Sequence, residues 1–153
     1  MQVNFAHLCD FALMSAEGKL SLIGLFSRIV VPQLPAVLQQ SFVAFEIELD
    51  YTEIGTPVDV RVEIVDADGA KVIKGTHHVP TQGQGKPGDR ALIPQVMRLP
   101  PLQFGRAGSY DINIFLGTDV APKGRITFDI VSTGQPPTPP VQGQPPLPLP
   151  PGQ

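Results

Sequence analysis

The stretch "SFVAFEIELDY" (41–51) decides the fold class. Its apolar side chains fall on Val43, Phe45, Ile47, Leu49 and Tyr51, with Glu46, Glu48 and Asp50 between them. A period of two sends alternate side chains to opposite faces of an extended strand, so one face is written for a core and the other for water.

The signature recurs outward from this segment. "VDVRVEIV" (58–65) sets Val58, Val60, Val62 and Ile64 against Asp59, Arg61 and Glu63. "SYDINIFLG" (109–117) places Tyr110, Ile112, Ile114 and Leu116 on one side, and "GRITFDIV" (124–131) does so with Ile126, Phe128 and Ile130. Turn residues separate the runs: "AEGK" (16–19), "DADG" (66–69), the Gly/Pro loop 80–90, "PPLQFGRAG" (100–108) and "GTDVAPKG" (117–124). No helical period of ten residues survives free of Pro or Gly, and "LPAVLQQ" (34–40) offers one short helical turn at most. These patterns predict strands at 2–14, 19–31, 41–51, 57–66, 70–78, 90–99, 109–117 and 123–131. The expected class is therefore all-β, an antiparallel two-sheet β-sandwich of immunoglobulin-like or jelly-roll type with about seven to eight strands. Tyr110 stands like a tyrosine corner at the start of a late strand, which favours the immunoglobulin-like option.

A chain of 153 residues suits one domain. Its net charge of −3 and scattered Lys and Arg argue against nucleic acid as a partner. The single Cys forms no internal disulfide, and the N-terminus lacks the basic and apolar regions of a secretion signal. No segment approaches the ~20 apolar residues of a membrane-spanning helix. A cytoplasmic location is the expectation. Composition changes near Ser132, beyond which lie nine of the eighteen prolines and no charge. We expect a β-sandwich domain over 1–131 and a disordered Pro-rich tail over 132–153. In that tail "PPLPLPP" (145–151) holds two P-x-x-P frames of polyproline II character. Pro145, Pro146, Leu147, Pro148, Leu149 and Pro150 are the candidate partner-binding residues, against a spacer as the simpler role.

His7, Cys9 and Asp10 cluster in "AHLCDFALMSAEGKLSLIGLFSRI" (6–29). Strict alternation puts Val3, Phe5, His7, Cys9, Phe11 and Leu13 on one face, with Asn4, Leu8 and Asp10 on the other. Cys9 among Phe and Leu then behaves as a small buried hydrophobe with a raised pKa, not as a nucleophile. The segment is a hairpin with a core face, and both His7 and Cys9 are expected inside.

The same residues resemble an uncharacterised bacterial domain family with an A-x-x-C-D-x-A opening, then EGKLS, then IG-x-F, and later a G-x-Y strand. The matching positions are Ala6, Cys9, Asp10, Ala12, Glu17, Gly18, Lys19, Leu20, Gly24, Phe26, Gly108 and Tyr110. The likeness spans most of 1–131. It implies a small cytoplasmic β-sandwich and carries no catalytic or binding residues with it.

The remaining motifs are weak as chemistry. "GQGKPG" (83–88) has the spacing of a dinucleotide loop, but Pro87 and the strand after it leave no helix to hold a pyrophosphate. "DADG" lacks the later oxygen ligands of a calcium loop and reads as a type I′-like turn. His77 and His78 are adjacent, so on a strand they diverge, one exposed and one half-buried. Glu46, Glu48 and Asp50 form a solvated face. No catalytic residue, cofactor or metal ligand set is expected. The leading expectation is a non-enzymatic protein-interaction domain with an unidentified protein partner. The alternative is a small-ligand or carbohydrate-binding sandwich using loops 32–40, 79–90 and 100–108. An enzyme would have only His7 and Cys9 as nominal candidates. A homodimer would use the face bearing Phe42, Val65 or Phe115.

Overall fold

The structure is a computed structural model that describes residues 1–134. Of the expected tail 132–153, Ser132 instead ends the last strand, and residues 135–153, including the candidate partner-binding stretch 145–150, lie outside the described residues. Eleven strands are formed among the described residues. They are β1 (Gln2–Met14), β2 (Leu20–Leu25), β3 (Arg28–Val31), β4 (Ala36–Leu38), β5 (Ser41–Asp50) and β6 (Val58–Asp66). After these come β7 (Lys71–Val79), β8 (Arg90–Leu99), β9 (Leu102–Phe104), β10 (Gly108–Leu116) and β11 (Gly124–Ser132). One sheet has the order β2-β1-β5-β8, the second β3-β11-β10-β6-β7, and β4 pairs with β9 alone.

This connectivity is that of an immunoglobulin-type sandwich. β11-β10-β6 occupy the places of the G, F and C strands and β7 extends that sheet, while β1-β5-β8 form the facing one. The phenolic hydroxyl of Tyr110 donates to the carbonyl of Arg106 at 2.9 Å, four residues upstream, which is the tyrosine corner expected from sequence.

Alternation forms the core as anticipated. Val43, Phe45, Ile47 and Leu49 of β5 meet Val58, Val60, Val62 and Ile64 of β6, with Ile112, Ile114, Phe128 and Ile130 from β10 and β11, all buried. Tyr51 departs from the pattern and is 41 % exposed, because β5 ends at Asp50. Phe104 closes one part of the core, edge-on to Tyr110 at 5.0 Å and to Phe128 at 5.9 Å. Loops 32–40 and 100–108 are tied together over part of their length. Each contributes a three-residue strand to the β4–β9 ladder, and Leu102 and Phe104 are buried in the main cluster.

Three expectations are corrected. The predicted strand 19–31 is two strands in different sheets, because the chain crosses the sandwich at Phe26 and Ser27 and β3 then runs parallel to β11. In β1, the register passes from Val3↔Ile47 to Phe5↔Glu46, so Asn4 is an extra residue. A bulge of one residue inverts every later side chain. Leu8 consequently pairs with Val43 and is buried in the main core, and His7 is exposed. Finally, "DADG" is not a type I′ turn, which needs positive φ at both central residues. Only Gly69 has it, at 78°, and its N–H donates to the Asp66 carbonyl at 2.9 Å, giving a type I turn closed by a left-handed glycine.

Asp66 fixes that turn. Its Oδ1 accepts from the Ala70 N–H at 2.8 Å and the Asp68 N–H at 3.0 Å, and its Oδ2 from Arg106 at 3.0 Å. The Ala70 bond above all, with the Asp68 N–H and Arg106 adding to it against some desolvation, holds its pKa below the usual carboxylate range. The stabilisation is therefore present above the unfolded pKa, near ~3.9, and disappears as pH falls through the lower folded value. Asp66→Asn is expected to lower Tm at pH 7 and to match the parent protein once acid has protonated Asp66. Thermal melts across the acid range check this.

Candidate functional site

The hairpin of β1 and β2 is the most unusual surface of the molecule. Ser15 and Gly18 build its turn: the Gly18 N–H donates to the Ser15 carbonyl at 2.9 Å, and Gly18 takes φ 77°. The Ser15 hydroxyl then accepts from the Lys19 N–H at 3.1 Å. Pairing of β1 with β5 ends at Cys9↔Phe42, so beyond Cys9 strand β1 pairs with β2 alone. The register Cys9↔Leu25, Phe11↔Ile23, Leu13↔Ser21 puts Phe11, Leu13, Ile23 and Leu25 on one side of the ribbon. All four are exposed, Ile23 by 60 % and Leu25 by 57 %. Phe11 meets Phe42 edge-on at 5.4 Å, joining this row to the outer face of the sheet.

Cys9 lies on the same side, across the ladder from Leu25, but is covered. It is fully buried in a small second cluster with Ala12 and Ala44, bordered by Leu20, Leu22, Phe42 and Val96. Its thiol donates to the Phe42 carbonyl at 3.6 Å. Burial pushes the thiol pKa up, and the Asp10 carboxylate pushes the same way. The expectation of a buried Cys9 with a raised pKa holds, although it lies outside the main core. Its predicted neighbours Phe11 and Leu13 are exposed, and so is His7, whose ring stacks on Phe5 at 5.9 Å. Cys9→Ser is accordingly expected to cost ~1–3 kcal/mol, and His7→Ala to stay within about 0.5 kcal/mol. Urea unfolding of both variants and a thiol-reagent assay on the folded protein check the pair.

The other sequence candidates do not converge. His77 and His78 diverge as expected, yet both are exposed, and His78 Nδ1 lies 2.8 Å from Asp59. Asp89 caps its own loop by accepting from the Lys86 N–H at 2.9 Å. Loop 83–88 opens no helix. Glu46 accepts from Asn4 at 3.1 Å, and Glu48 from Gln2 at 3.1 Å and Arg90 at 2.9 Å. Phe115, a proposed dimer residue, is 8 % exposed under the Arg61 guanidinium at 4.2 Å. Phe42 and Val65 are half-buried. Among the described residues no three His, Cys, Asp or Glu side chains are grouped to hold a metal ion, and no helix is long and apolar enough to cross a membrane.

The hairpin carries the sequence motif that opens the chain, and one of its glycines explains the spacing. Gly24 has φ 67°, and a Cβ there would collide with the carboxylate of Asp10 across the ladder. The model of a family of unknown function, DUF6941, matches residues 4–131. The chain belongs to the DUF6941 family. No curated protein matches it. The DUF6941 domain thus comprises almost the whole sandwich, from β1 to the last residues of β11. Of the motif positions, Asp10, Gly18, Gly24 and Tyr110 each have a structural role: the two glycines adopt left-handed backbone, Asp10 sits over Gly24, and Tyr110 makes the corner.

Proposed function

We propose that this DUF6941 domain is a non-enzymatic, cytoplasmic interaction domain that binds another protein through its β1–β2 hairpin. The observation that carries the reading is the row of Phe11, Leu13, Ile23 and Leu25, exposed together on a ribbon that has no second layer over that face. Isolated exposed apolar residues are ordinary, but a contiguous row on one element marks a surface that is covered in use. Aromatic and branched aliphatic anchors on a rigid ladder also lose little conformational freedom on binding.

The test replaces Phe11 and Ile23 by glutamate, singly and together. Both side chains are exposed, so folding and Tm should be preserved. The parent protein, immobilised against lysate and also run in sedimentation, is expected to hold a partner that the double variant loses. Self-association abolished by the same substitutions would identify the partner as a second copy. A row that can be charged with no change in either measurement is not an interface.

A further inference from the structure

A second surface has a different character. β7 and β8 are the outermost strands on the same side of the two sheets, and a cleft of about 270 Å³ opens between them. Five consecutive residues of β7, Ile73 to His77, line it, as do Met97, Arg98, Leu99 and Pro100. Consecutive residues of a strand point to opposite faces, so a cavity touching five in a row is faced by the strand's edge as well as by its side chains.

The cause of the cleft is Gly75. In the β6–β7 register Ile73 pairs with Ile64, Gly75 with Val62 and His77 with Val60, so Gly75 occupies an inward position. The core-facing row of β7 has no side chain there, and a Cβ built on Gly75 meets nothing within 4 Å. Val62 and Met97 are left as an apolar floor. Among the described residues the two cations at the rim, Lys74 and Arg98, form no ion pair within 4 Å: Glu63, across the ladder from Lys74, is engaged by Lys71 at 3.1 Å and Arg61 at 3.4 Å. The edges also differ. β8 carries Pro94, which cannot donate to a further strand, while β7 has no proline.

We propose that an extended peptide adds a strand to the free edge of β7, setting one apolar side chain into the notch over Gly75 with carboxylates flanking it beside Lys74 and Arg98. Main-chain hydrogen bonds to an exposed edge supply affinity in such complexes, and the pocket for one side chain supplies selectivity. A leucine or phenylalanine side chain fits the available volume, and the unpaired rim charges select an acidic segment over a basic one. The inference deepens the reading of the chain as a binding domain, but it uses a surface separate from the hairpin.

The probe is a blocked seven-residue peptide with a central leucine flanked by valine and threonine, and a glutamate at each end. It is titrated to millimolar concentration into the full chain while amide resonances are followed by NMR. Saturable shifts are expected at Lys74, Gly75, Thr76 and His77. Gly75→Val should fold normally, since valine suits a strand and the space is open, yet weaken binding roughly tenfold or more by filling the notch. Lys74→Gln with Arg98→Gln, or lysine in place of the peptide's glutamates, should weaken it as well. N-methylation on both sides of the leucine should abolish it. No saturable shift with the parent protein, or equal binding by folded Gly75→Val, overturns the proposal. Ile23→Glu separates the two surfaces: a peptide that fails here leaves any hairpin-dependent association standing, and loss of hairpin association leaves peptide binding intact.

Discussion

Phe45→Ala is expected to remove ~3–5 kcal/mol of stability. Phe45 is fully buried at the centre of β5, paired with Ala6 on one side and Gln95 on the other. Its ring stands between the two sheets, where no loop can collapse to refill the space. The loss comprises the transfer free energy of the ring and the cavity left in a close-packed interior. Against a typical total of about 5–15 kcal/mol, much of the population would be unfolded at body temperature if the domain sits near the lower end. Urea unfolding should show a lower midpoint with an unchanged slope. A loss below ~1 kcal/mol would mean that β5 is not the central strand.

Gly24→Ala is the second. Alanine at φ 67° costs ~1–2 kcal/mol on backbone grounds alone, and here its methyl group must also displace the Asp10 carboxylate. The second cost is separable from the first. Asp10→Ala by itself should be mild, because the Asp10 side chain is exposed. Combined with Gly24→Ala it should recover part of the loss, leaving only the backbone term. The two changes are thus expected to be non-additive by at least ~0.5 kcal/mol. Strict additivity would mean that the D-x-A and IG-x-F segments share no contact across the ladder. Aggregation of Gly24→Ala above its parent would further indicate that a loosened hairpin exposes its apolar row and the free edge of β2.

Much of the fold was legible in the letters. β5, β6, β10 and β11 read correctly because each carries a strict period of two over six or more residues, with the apolar half largely buried and the polar half, Glu63 apart, at least partly solvated. Tyr110 read correctly because a phenol near the start of a late strand has one well-defined use. The candidate site was less legible. Cys9 was assigned burial from alternation and its apolar neighbours, and it is buried. His7, Phe11 and Leu13 were assigned to the core by the same alternation, and all three are exposed. The extra residue at Asn4 inverts the parity of β1, and nothing in "QVNFAHL" announces it. Exposure of Phe11 and Leu13 depends further on where β5 begins, which is a property of another strand. The notch at Gly75 carried one faint signal, a glycine at an inward position of an alternating run.

By itself, then, the sequence determined what depends on neighbours along the chain: strand content, turn positions, the mean polarity of each face, the burial of Cys9 and the left-handed glycines of the tight turns. Tertiary structure alone decided which face of β1 meets the core, that 19–31 divides between two sheets, that β3 joins β11 in parallel, and which apolar residues are left uncovered. The physical reason is the same in each case. Alternation specifies that one side of a strand is to be buried, but a single inserted residue exchanges the sides. What covers a face is set by the lengths and ends of strands that are distant in sequence.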